Sequence, residues 1–199
     1  KHTTEVEIAN SNSETTIKTP FVVSYVGTGG GPGNTTIALE SGIDLALHRF
    51  AEGHKVHSGV AYLDLKLESG GACDYLNLEP KLSLNEIAAD PNRLDSYMLQ
   101  MMASKHSSGL DVFCGTPRTN IAAKISEETA LLTLLNCMVE NYSVIIVDIP
   151  HRYPLDMSEI VKNSDLVYCV GYFSVPSAKN IKTMLQYLVE VGVNKTSTE

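Results

Sequence analysis

From Pro20 onward the chain alternates short apolar runs with longer amphipathic stretches. The short runs, at 21–27, 59–65, 110–115, 143–149 and 165–172, have the length of strands. Two of them contain VIIVDI and LVYCV, nearly continuous apolar segments of the kind found in strands covered on both faces. The stretches between them, at 35–51, 94–105, 127–140 and 177–191, carry helical patterns. Strand and helix in alternation predict a doubly wound α/β fold, a mostly parallel sheet flanked by helices. Ser126 before Glu127 and Glu128 reads as a helix N-cap with an acidic first turn. Gly192 stands where a helix is expected to stop. The ending VGVNKTSTE carries no further strand pattern, so the last strands of such a sheet are expected outside this chain.

Residues 1–19 break the alternation. They are rich in Thr, Ser, Asn and Glu and hold too little apolar surface to fold alone, so they read as a polar linker ahead of one domain at 20–199. With 199 residues, 43% hydrophobic and 19% charged, the chain is long enough to bury a proper core. Its net charge of −8 disfavours a generic grip on nucleic acid, which relies on clustered Lys and Arg; the densest basic neighbourhood holds only Lys179 and Lys182. No apolar run approaches the ~20 residues of a membrane span. Cys73, Cys114, Cys137 and Cys169 lie far apart without a C-x-x-C pair, which argues against a zinc site or a disulfide framework. Cys114 and Cys169 read as reduced buried thiols, and the compartment as the cytosol.

The chemistry concentrates in Val26-Gly27-Thr28-Gly29-Gly30-Gly31-Pro32-Gly33-Asn34-Thr35-Thr36, which follows a predicted strand and opens a predicted helix. Glycines let a backbone turn tightly and aim its N–H groups inward as an anion nest, and the helix N-terminus adds a favourable dipole. Thr35 is placed to offer a hydroxyl to a phosphate-bound Mg²⁺. Two readings stay open from the residues: a nucleotide site, and a Gly-rich turn without a ligand.

The loop resembles the deviant Walker A motif, K-G-G-x-G-K-T-T, of the ParA/MinD ATPases. Gly30, Gly31, Gly33, Thr35 and Thr36 match it. Gly29 stands in place of the signature lysine and Asn34 in place of the phosphate-loop lysine. Tyr62-Leu63-Asp64-Leu65-Lys66 resembles the D-x-D after the second strand. Asp64 matches the Mg²⁺-side carboxylate, and Lys66 replaces the one that positions the attacking water. The strand ending Asp148-Ile149-Pro150-His151 resembles Walker B, with Asp148 as its carboxylate. The resemblance therefore implies a degenerate site: Gly29, Gly30, Gly31, Gly33, Asn34, Thr35 and Thr36 for ATP, and Thr35, Asp64 and Asp148 for Mg²⁺ if a nucleotide binds. Efficient hydrolysis is not expected, because cations normally meet the charge on a transferring phosphoryl group.

Within that family the chain is most similar to the TadZ/CpaE pilus-localisation group, through 63–80, 143–151 and 165–188. That likeness implies a cytoplasmic protein, polar or peripheral at the inner membrane, that localises a Tad/Flp pilus assembly machine. It further implies a homodimer that contacts the pilus secretion ATPase and inner-membrane components, with a receiver-like domain ahead of residues 1–19. The alternative it leaves is a Mg-ATP dimerisation switch with slow hydrolysis. Lys66 reads as a solvated strand-end lysine in preference to a cation turned towards the phosphates, because Lys is mostly exposed. His151 has no nucleophile pattern beside it and reads as a loop residue. Met98, Met101 and Met102 read as core or interface packing.

Overall fold

The computed structural model describes residues 20–31, 33–51, 59–66, 71–80, 82, 84, 93–114, 128–150 and 158–193. The linker at 1–19, the predicted N-cap Ser126 and His151 lie outside the described residues. Along the chain run β1 (Phe21–Gly27), α1 (Asn34–Ala51), β2 (Val60–Asp64), α2 (Gly71–Tyr75), α3 (Ser96–Met102) and β3 (Ser104–Lys105). Then follow β4 (Asp111–Phe113), α4 (Glu128–Asn141), β5 (Val144–Ile149), α5 (Ser158–Lys162), β6 (Leu166–Val170) and α6 (Val175–Glu190). The strands form one six-stranded sheet in the order β3-β4-β2-β5-β1-β6.

Alternation along each strand divides the core in two, because successive side chains leave a strand on opposite faces. Val23, Tyr25, Tyr62, Val112 and Ile146 face α1 and α2, burying Ala38, Leu39 and Ala72. Val22, Val26, Leu63, Ile145 and Val147 face the other layer, with Leu99, Leu134, Met138, Ile160 and Leu188 from α3 to α6. Helices on both faces explain why VIIVDI is almost wholly apolar: its five residues from Ile145 to Ile149 are all buried.

All the pairings are parallel except β3 with β4, which is antiparallel. The helix expected over 94–105 is corrected here. Asp95 caps α3 by accepting a hydrogen bond from Met98 N at 2.7 Å, but Ala103 is already extended, and Ser104 and Lys105 form the edge strand. Lys105 is fixed there by Asp111 across the pair at 2.5 Å. Of the three methionines on α3, Met102 is buried, Met98 packs against the core and Met101 is exposed. The stop at Gly192 takes the Schellman form. Its φ is +94°, Gly192 N–H donates to Val189 O and Val193 N–H to Leu188 O.

The expectation of unpaired thiols is also corrected. Cys73 on α2 and Cys114 just after β4 form a disulfide, with Cα atoms 6.5 Å apart. The segment after β2 packs over the end of β4, which brings together two residues 41 apart in sequence, beyond the reach of any local spacing rule. The argument from cysteine usage for a reducing compartment does not hold at this pair. Cys137 and Cys169 are free and half-buried. Among the described residues no helix is long and apolar enough to cross a membrane.

Candidate functional site

The strand order reverses at β1, which lies between β5 and β6, so its carboxyl end opens a crevice of the kind that binds ligands in doubly wound sheets. The Gly-rich loop leaves β1 at that point. Its start is tied down by Thr28 N–H to Val170 O at 2.9 Å and by Asn180 Nδ2 of α6 to Thr28 O at 2.8 Å. Gly31 and Gly33 have φ of +80° and +83°, the left-handed region that glycine enters without strain, and so let the loop turn back into α1. A cleft of about 410 Å³ results, within the usual range for small-ligand sites. Gly29, Gly31, Gly33, Asn34, Thr35 and Thr36 line it, with Lys66, Tyr75 and Ile149; Gly30 is exposed.

Asp64 and Asp148 are direct partners across the β2–β5 register, at the carboxyl ends of their strands. Both are buried, yet they serve different ends. Asp64 organises the backbone after β2: Oδ1 accepts Lys66 N–H at 2.8 Å and Oδ2 accepts Ala72 N–H at 3.0 Å. Burial pushes its carboxyl above the ordinary range, and the Asp148 charge adds to this, while the two backbone bonds and Lys66 pull the other way.

Asp148 collects side-chain donors. Asn34 Nδ2 donates to Oδ1 at 2.5 Å; Thr35 Oγ1 donates to Oδ2 at 2.6 Å and the Tyr62 hydroxyl at 3.0 Å. Burial, with both carboxylates nearby, holds the Tyr62 phenol well above its usual pKa, so it stays a donor. Lys66 Nζ completes the set, at 2.8 Å from Asp148 Oδ2 and in contact with Thr35 Oγ1. The reading of Lys66 as a solvated lysine is therefore corrected. Its side chain keeps 22% exposure and turns back into the site, because a buried carboxylate draws a charged donor that can reach it.

Asn34 is drawn inward. Besides Asp148 it donates to Tyr25 O at 3.2 Å, and its Oδ1 is buried without a hydrogen-bond partner. The sequence pattern does not single out Tyr62, Tyr75 or Asn180 as residues of the site. No local pattern gives the direction of the lysine, since Lys66 lies beyond the end of β2 at Asp64.

The fold has known relatives. The chain superimposes on a ParA family ATPase from Chlorobium tepidum TLS with a TM-score of 0.77, at 22% identity over 92% of this chain and 72% of that one. The fold is that of the ParA and MinD ATPases. The cell division ATPase MinD of Pyrococcus furiosus gives a TM-score of 0.65 at 16% identity, covering 87% of this chain and 68% of that one. Cobyrinic acid a,c-diamide synthase from Mycobacterium smegmatis, with bound ATP analog and magnesium, gives 0.69 at 16% identity, covering 90% and 70%. No protein-family profile and no curated protein sequence matches the chain.

The residues fit the two components of such a ligand unequally. The positive-φ glycines leave open space, since a Cβ at Gly31 or Gly33 would meet nothing within 4 Å. Magnesium does not fit the arrangement as it stands. The hydroxyl of Thr35 and Oδ2 of Asp148 are already bridged by an ammonium, and both oxygens of Asp64 serve backbone N–H groups. Among the described residues no group of three or more His, Cys, Asp or Glu gathers into a metal site.

Proposed function

We propose that this chain is a degenerate ATPase domain that works by binding and association, with little or no hydrolysis. The observation that carries the reading is the redistribution of charge around the loop. The two lysine positions hold Gly29 and Asn34, and the cation present is Lys66, engaged by Asp148. A phosphoryl group transferred in this cleft would meet neither loop lysine, nor a carboxylate at position 66 to hold the attacking water.

The biological role rests on the likeness to the TadZ/CpaE group. In that role the domain forms a homodimer in the cytoplasm, polar or at the inner membrane, and positions a Tad/Flp pilus assembly machine by contact with its secretion ATPase. The linker at 1–19 would join it to a receiver-like domain. Steady-state turnover of ATP with magnesium tests the first part: no release of phosphate above background is expected, and turnover on the order of 1 s⁻¹, ordinary for a competent enzyme, overturns it.

The open cleft favours a second reading, a nucleotide-dependent dimerisation switch. Under it, millimolar ATP raises the melting temperature and shifts the oligomeric state, because a ligand of the native state must stabilise it. If ATP changes neither, the second reading fails and the first stands without a nucleotide.

A further inference from the structure

We propose that the Lys66 ammonium is a resident cation that takes the place of the divalent metal, so that the cleft binds a nucleoside triphosphate without magnesium. The inference rests on the nucleotide-binding reading above and deepens it. Its basis is the position of Nζ, which contacts Thr35 Oγ1 and lies 2.8 Å from Asp148 Oδ2. These are the hydroxyl and one of the two carboxylates that the resemblance assigns to magnesium, the other being Asp64.

Three features make the ammonium a structural occupant. Asp148 is wholly buried, and a buried carboxylate held only by neutral donors is costly, so a cation belongs at its side. Asn34 donates to Oδ1 and Tyr62 to Oδ2 of that carboxylate without adding charge. Lys66 also lines the cleft, where positive charge meets an incoming polyphosphate. A divalent ion arriving with the nucleotide would have to displace the ammonium from both oxygens. The cation at the phosphates is then the chain's own ammonium, shared with Asp148.

Calorimetric titration of the whole chain with ATP, once in EDTA and once in excess Mg²⁺, tests this. The expected result is binding in EDTA, with a Kd that magnesium leaves within about threefold or weakens. Binding that magnesium tightens about tenfold or more overturns the proposal and leaves the nucleotide-binding reading intact. Absence of binding in both buffers refutes the nucleotide-binding reading itself, and this inference with it. Lys66→Gln supplies a second test: with the cation removed, binding in EDTA should weaken by about tenfold or more and become magnesium-dependent. An unchanged Kd in EDTA for a folded Lys66→Gln protein also overturns the proposal. Should that variant not fold, the pair of wild-type titrations still decides.

Discussion

Replacing Lys66 by Met removes one charge and keeps most of the side chain's length, so the perturbation falls on Asp148. That carboxylate is fully buried and receives Asn34 at 2.5 Å, Thr35 at 2.6 Å, Lys66 at 2.8 Å and Tyr62 at 3.0 Å. Stripping one partner from a buried ion pair costs about 3–5 kcal/mol when nothing replaces it. Here three neutral donors remain, and 22% exposure of the Lys66 side chain lets water reach the gap, so about 2 kcal/mol is expected. Urea denaturation of wild type, Lys66→Met, Asp148→Asn and the double variant isolates the pair. The coupling energy should lie at about 1.5–3 kcal/mol. A coupling below about 0.5 kcal/mol would mean that Lys66 and Asp148 form no stabilising ion pair.

Reduction of the Cys73–Cys114 disulfide, or Cys114→Ser, opens a loop of 41 residues and should lower stability by up to about 4 kcal/mol on the chain-entropy account, read from urea midpoints with and without reductant. Gly33→Ala adds a Cβ that touches nothing but must adopt φ +83°, so a purely conformational loss of about 1–2 kcal/mol is expected in the same assay. Burial pushes the Cys169 thiol from 9.0 up to about 11, so in a Cys137→Ser background its maleimide labelling at pH 8 should run roughly 100-fold slower than that of a free peptide thiol. The same rate should keep climbing with pH past 9 and level only near 11; levelling near 9 would show an unshifted thiol.

The architecture was legible because it depends on local periodicity. Continuous apolar runs marked the buried parallel strands, and Gly192 marked the end of α6 by the conformation it permits. The elements that escaped are short or set by distant partners. α2 and α5 span five residues each, too few for a helical period to show. β3 exists because Ser104 and Lys105 pair with Val112 and Asp111, a tertiary choice that overrode the end of a helical pattern. At the site, the glycines and the two aspartates could be placed from motif and strand ends. Where Lys66 points could not, since it depends on the burial of Asp148, 82 residues away in sequence. The disulfide was hidden for the same reason.

Phosphate release from ATP and magnesium, compared between the wild-type chain and the triple variant Gly29→Lys, Asn34→Lys, Lys66→Asp, shows whether these three positions withhold hydrolysis. The position of Gly29 allows it, since a Cβ there meets only Asn180 Nδ2 at 3.9 Å. The wild type should show no turnover above background, and the variant, with two cations and a carboxylate introduced, measurable turnover. Wild-type turnover on the order of 1 s⁻¹, unchanged or lowered in the variant, would contradict this.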